Sequence, residues 1–137
     1  MAQNGYLSSY SALVAYSAST SGNTTSTSTT YANVSGMTLT PPSGTYLVIF
    51  SGNTSATQGG NGETGTFQLA VAGTQVIDSR MTITDVYALL GTNTVAGGNT
   101  LSSIVTVNGS QAITVQFAAQ SGTIQVNERN LIAIRVV

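Results

Sequence analysis

Seven side chains of this sequence carry a full charge at neutral pH: Glu63, Asp78, Arg80, Asp85, Glu128, Arg129 and Arg135. Charged residues make up 5% of the chain, against about 25% in ordinary globular domains. The polar remainder is Ser, Thr, Asn, Gln and Gly. Ser, Thr and Asn compete with helical hydrogen bonding through their own side chains, whereas strands and turns accept them readily. With a hydrophobic fraction of 41% and a net charge of -1, the chain has the material for a core and escapes the high-charge signature of disorder. The composition therefore predicts an all-β domain. At 137 residues it is one domain in length.

The apolar pattern agrees. Met37–Thr40 precedes a Pro41-Pro42-Ser43-Gly44 turn, and Thr45–Phe50 is apolar on both faces, as a central strand should be. Residues 51–65 read as a Gly/Asn/Thr-rich loop. Phe67, Leu69 and Val71 alternate with Gln68, Ala70 and Ala72, then turn at Gly73 and return over Gln75–Asp78. Met81–Leu90 reads as the next strand and 91–100 as a second loop. Asn108-Gly109 predicts a hairpin between Ser103–Val107 and Gln111–Phe117, because both central residues of such a turn favour positive φ. After a turn at Ser121-Gly122, Ile124 and Val126 lead to Leu131–Val137, again apolar on both faces. About eight short strands without a convincing helix predict a two-sheet antiparallel sandwich of jelly-roll type.

Before this body lies a different kind of sequence. Residues 17–30 are a low-complexity polar stretch, and residues 1–30 together read as an extended N-terminal arm and polar linker, with a strand near Ala12–Ser17 and the sandwich domain spanning 31–137. Tyr6, Leu7, Tyr10, Leu13 and Tyr16 either cover the domain's own core or anchor the arm on a neighbour.

The same scarcity of charge excludes most chemistry. His, Cys and Lys are absent, so no Ser–His triad, thiolate or amine nucleophile can be built, and no disulfide can form. Asp78 and Asp85 are seven residues apart, on opposite faces of a regular strand, which does not suit a glycosidase pair. Asp78 reads instead as the surface ion-pair partner of Arg80. Glu63, alone in a Gly-rich loop, is too little for calcium. No enzymatic activity, metal or cofactor is expected. Three scattered arginines cannot track a phosphate backbone, so no nucleic-acid partner is expected. No apolar run approaches the roughly 18 residues of a membrane span, and the N-terminus has no secretory pattern.

What remains is adhesion. A nearly neutral surface lacks the charge that keeps molecules apart, and the two-sided strands offer more apolar surface than one core needs. Tyr46, Phe50, Arg135 and Val137 are the expected subunit-interface residues. Arg135, inside Ile132–Val137, either packs its stem on the sheet with its head in solvent or pairs with Glu128 or Asp85 across an interface.

The run Tyr31–Phe50, with its Pro41-Pro42-Ser43-Gly44 turn, resembles the start of phage and bacterial jelly-roll heads related to tumour-necrosis-factor and complement-type globular domains. Phe67–Ile77 looks like the hairpin that follows in that group, and Gly109–Gln116 and Arg129–Ile134 look like its closing strands. The resemblance implies homotrimers and a virion setting, either as a fibre head or as a capsid decoration (cement) protein. A fibre head normally follows a long shaft, and only some thirty residues precede the body here, which favours decoration. On that reading the chain is made in the host cytoplasm and ends on the outer capsid surface. Its partners are itself and the major capsid protein, the latter contacted by Tyr6, Leu7, Tyr10, Leu13 and Tyr16. The alternatives are a receptor- or glycan-binding fibre tip, using loops 51–65 and 91–100 with Tyr87 as a stacking platform, and a small plain coat or matrix protein.

Overall fold

A computed structural model describes residues 14–57, 64–84 and 94–136. They form nine strands: β1 (Ala15–Thr20), β2 (Thr24–Ser26), β3 (Ala32–Leu39), β4 (Gly44–Thr57), β5 (Thr64–Val71), β6 (Thr74–Thr84), β7 (Thr94–Val107), β8 (Ile113–Ala119) and β9 (Thr123–Arg135). All pairings are antiparallel. One sheet, A, has the order β1-β9-β4-β7 with β2 also on β9; the other, B, has the order β3-β8-β5-β6. Apart from the β5–β6 hairpin, the chain from β3 onward changes sheet at each connection, which is the jelly-roll path.

The alternation of β9 between buried and partly exposed residues shows how one face of each strand closes the core. Phe50 stacks on Phe67 at 6.0 Å between centroids, and Phe67 meets Phe117 at 5.8 Å, tying sheet A to sheet B. Tyr46 is fully buried, donates its hydroxyl to the Pro42 carbonyl at 2.9 Å and takes the edge of Tyr16 at 6.0 Å.

Several expectations are corrected. Within the segment read as arm and linker, Ala15–Thr20 and Thr24–Ser26 are strands of sheet A: β1 runs along Arg129–Ile134, and β2 along Ile124–Val126. Its Ser and Thr residues suit an edge position with one face in water. The described parts of the stretches read as loops 51–65 and 91–100 are strand, since β4 and β7 pair over their full 14 residues each. Period two persists there in small side chains: Phe50 is followed on the core side by Gly52, Thr54 and Ala56, all buried.

Asn108-Gly109 does not close a hairpin, because β7 belongs to sheet A and β8 to sheet B. Only Gly109 has positive φ, at 92°, and the Asn108 carboxamide oxygen accepts from Ser110 N at 3.0 Å and Gln111 N at 3.2 Å. The pair thus builds an Asx-type corner between sheets. Finally, Gln75–Asp78 and the run from Met81 are one strand, β6, interrupted by a bulge. Gln68 pairs with Arg80 and Ala70 with Gln75, so residues 76–79 face Leu69 alone.

Candidate functional site

The outer face of sheet A is divided along its length. At one end a row runs across four strands, Ile104 (β7), Leu47 (β4), Ile134 (β9) and Ala15 (β1), with Ile49 and Ile132 paired in the row behind it. Leu47, Ile49, Ile132 and Ile134 are only half-buried, and Ile104 is 57% exposed. Val14 and Val136, also exposed, extend the patch at its margin. No charged residue interrupts these rows.

At the other end the face is polar. Ser19, Asn130, Ser51 and Thr100 form one row across the strands. Beyond it a bulge between Gly52 and Asn53 leaves Glu128 as the extra residue of β9. The exposed Glu128 carboxylate accepts from Asn53 Nδ2 at 3.1 Å. It also lies between two shallow depressions. One, of about 470 Å³, is lined by Ser19–Ser21 and Glu128–Asn130. The other, of about 320 Å³, is lined by Ser51–Asn53, Gly98–Thr100 and Glu128. Asn130 Oδ1 is buried without a hydrogen-bond partner among the described residues.

Beneath that polar end lies Arg129, 4% exposed. Its Nε and Nη2 reach the Ser35 carbonyl at 3.0 and 2.8 Å, Nη2 donates to Thr24 Oγ1 at 2.8 Å, and Nη1 donates to the Val126 carbonyl at 3.2 Å and to the Gly22 carbonyl. Burial pushes its pKa down, yet a guanidinium stays protonated in proteins. A cation solvated by carbonyls thus ties β9 to β3 and to the chain between β1 and β2. Nothing in the sequence marked this arginine out from the other two, because all its acceptors but the Val126 carbonyl lie about a hundred residues away along the chain.

The outer face of sheet B is wholly different. Asn33, Gln116, Gln68 and Arg80 stand in one row across its four strands. Gln116 Nε2 donates to Asn33 Oδ1 at 3.2 Å, Gln68 Nε2 to Gln116 Oε1 at 3.0 Å, and Arg80 Nη2 to Gln75 Oε1 at 2.9 Å and Gln68 Oε1 at 3.4 Å. The Arg80 guanidinium lies 5.6 Å from the ring centroid of Tyr31, whose hydroxyl meets Thr66 Oγ1 at 2.8 Å. Arg80 therefore turns to amides and a ring, not to Asp78 as expected, because the β6 bulge swings Asp78 out of register.

The expected interface residues separate by the period of the strands. Tyr46 and Phe50 are fully buried inside the chain and offer no surface to a second copy; the outward positions of the same strand are Leu47 and Ile49. Apolar residues on both faces of a strand do not say which parity faces out. Arg135 is exposed at the end of the sandwich and donates to the Ser43 carbonyl at 3.2 Å. Glu128 sits seven positions away along β9, roughly 20 Å, and so is not its partner within the chain. Tyr16 is half-buried against Tyr46. Tyr6, Leu7, Tyr10, Leu13, Tyr87, Asp85, Glu63 and Val137 lie outside the described residues. Among the described residues no three His, Cys, Asp or Glu side chains gather as a metal site, and no helix is long and apolar enough to cross a membrane.

No protein-family model matches the sequence, and no curated protein matches it significantly. Among solved structures it is similar to the Eiger TNF of S. frugiperda, with 10% identity over 91% of this chain and 93% of that one and a TM-score of 0.50. At that identity the likeness speaks for the fold alone, a TNF-like jelly roll.

Proposed function

We propose that this chain is a virion structural protein without catalytic activity, a trimeric decoration (cement) protein on the outer surface of a phage capsid. The observation that carries the reading is the uncharged apolar patch on the outer face of sheet A. An exposed β-sheet face with Leu47, Ile49, Ile104, Ile132 and Ile134 in adjacent rows is a surface in want of a cover. Closed symmetric association is the commonest way to supply one. Val14 lies beside that patch, at the Arg135 end, where its carbonyl accepts from Arg135 N at 2.9 Å. The contacts proposed for the major capsid protein are Tyr6, Leu7, Tyr10 and Leu13, which lie outside the described residues. Purified protein mixed with undecorated shells should co-sediment to saturation and raise their melting temperature. Shells that pellet without it overturn the proposal.

One observation favours a second reading, a receptor- or glycan-binding tip. The two Gly- and Asn-rich stretches that the sequence separates lie side by side in β4 and β7, and they line the 320 Å³ depression with Glu128. A carboxylate flanked by carboxamides and hydroxyls suits a neutral sugar. Binding to a glycan array that Glu128→Gln abolishes, with none to shells, would select this reading.

A further inference from the structure

The corner between β7 and β8 carries chemistry that shell binding and sugar binding both leave unused. Asn108, Gly109 and Ser110 are exposed there. Three donors converge on one atom: the Asn108 carboxamide oxygen accepts from Ser110 N at 3.0 Å, Gln111 N at 3.2 Å and Ser110 Oγ at 2.9 Å. The Asn108 N–H is held in turn by Gln111 Oε1 at 3.1 Å. A neutral carboxamide oxygen has two lone pairs to offer. A third donor suits an oxygen that gains negative charge, and donors fixed in advance around such an oxygen lower the barrier to attack on its carbon.

The nucleophile is the next residue along the chain. The Gly109 N–H makes no hydrogen bond among the described residues. From that nitrogen to Asn108 Cγ is the closure of a five-membered ring, an intramolecular attack with the advantage of proximity. Glycine puts no side chain in its way, and the corner itself demands glycine: φ is 92°, and a Cβ would lie 3.1 Å from Ser43 N. The geometry that fixes the corner thus also fixes the least hindered partner for the Asn108 carboxamide. Asn33, Asn53, Asn99, Asn127 and Asn130, by contrast, lie within strands, each before a residue that carries a side chain.

We propose that Asn108 is a self-modification site of the folded protein. Gly109 N, its proton taken by hydroxide, attacks Asn108 Cγ; the new C–N bond replaces the bond to Nδ2, which departs as ammonia after taking a proton from water. No electrons are exchanged, and water then opens the cyclic imide. Opening at Cγ restores the normal backbone and leaves a carboxylate oxygen where the carboxamide oxygen stood, a charge-assisted acceptor for the same three donors. Opening at the backbone carbonyl would route the main chain through the side chain and push Gly109 off its seat against Ser43. The corner therefore selects ordinary aspartate. The product adds one negative charge to a net charge of -1. It does so at the end of sheet A where Val107 pairs with Gly44 and Arg135 reaches the Ser43 carbonyl.

The test is timed incubation of the folded chain in mildly alkaline buffer, followed by tandem mass spectrometry of its fragments. Fragment sequencing separates Asn108 from the Asn4-Gly5 and Asn61-Gly62 pairs, which lie outside the described residues. Asn108 should convert ahead of the five strand asparagines, faster as the pH rises, and to aspartate in excess of isoaspartate. Ser110→Ala, which removes the hydroxyl donor and keeps both backbone donors, should slow conversion several-fold with an unchanged circular dichroism spectrum. Asn108→Asp, the product made directly, should melt no lower than the wild type. An Asn108 that stays an amide in the folded chain, while the same chain in guanidinium converts, would mean that the corner protects it, and the inference falls. It falls equally if isoaspartate predominates in the folded chain, if Ser110→Ala reacts at the wild-type rate, or if Asn108→Asp melts lower.

Discussion

The two outer faces of this sandwich solve the same problem in opposite ways. Both belong to sheets almost without charge. On sheet B the side chains satisfy one another: Asn33, Gln116, Gln68 and Arg80 pass hydrogen bonds across four strands, and Tyr31 covers Thr66 and receives the guanidinium. So complete is the cover that Gln68, on the outer face, is only 4% exposed. Sheet A at the Arg135 end does the reverse. Its outward residues are aliphatic, its largest exposed member is Ile104, and nothing within the described chain lies over them. A face that meets its own needs is finished as a surface, and a face that cannot is, on the proposed reading, half of an interface. Low charge alone does not distinguish them; the distribution of amides and aliphatics does.

The comparison presupposes that both sheets keep their places, and Arg129 is where that can be broken. Its guanidinium joins β9 in sheet A to Ser35 in sheet B and to Gly22 and Thr24. Arg129→Met keeps much of the bulk but leaves several backbone carbonyls without donors. An unsatisfied buried polar group costs about 1–3 kcal/mol, so the loss should reach about 3 kcal/mol. Urea unfolding should show it as a lower midpoint, and Arg129→Lys, with fewer donors, should recover only part. An unchanged midpoint would mean that water reaches those carbonyls and that the tie is incidental.

The next effect separates the faces directly. Leu47→Lys, at the centre of the aliphatic rows, should abolish association while leaving the monomer folded, since a central interface residue is worth about 2 kcal/mol or more. The same change on sheet B, Thr82→Lys, should leave the mass unaltered. If both variants behave alike in light scattering, the contrast between the faces has no bearing on assembly.

How far this contrast could be read beforehand depended on the strands. All-β class, a two-sheet sandwich and the β5–β6 hairpin followed from period-two runs such as Phe67, Leu69 and Val71, because large side chains mark the buried parity plainly. The far halves of β4 and β7 did not, because Gly52, Thr54 and Ala56 are buried yet look like loop residues. Their burial comes from a neighbouring strand distant in sequence, to which local composition is blind. The partly apolar runs 45–50 and 131–137 announced two-sided strands, but choosing Tyr46 and Phe50 over Leu47 and Ile49 as the exposed set required the sheet itself. The β6 bulge was hidden altogether, since Val76-Ile77-Asp78-Ser79 reads as ordinary strand.

A smaller effect tests whether the sheet B face is held by its side-chain row. Gln68→Met removes a carboxamide that donates to Gln116 and accepts from Arg80 without emptying its volume. A net intramolecular hydrogen bond contributes about 1 kcal/mol, so the stability loss should be of that order. The molar mass should not change. A loss of association would mean that sheet B, too, faces a partner.

The smallest effect concerns the hairpin that carries the bulge. Val71 pairs with Thr74, leaving Ala72 and Gly73 as a two-residue loop with φ of 50° and 80°. Both residues at positive φ define the turn whose twist matches paired strands, and its first position favours Asn. Alanine there tolerates a conformation it seldom adopts. Ala72→Asn should therefore stabilise the fold by about 0.5 kcal/mol, because asparagine accepts the left-handed region more readily. The Ala72 N–H bond to the Ala112 carbonyl, at 2.9 Å, would be kept, since it belongs to the backbone. Thermal unfolding should register the gain with no change in association. A loss instead would show that the exposed Ala72 side chain is held to small size by something it meets.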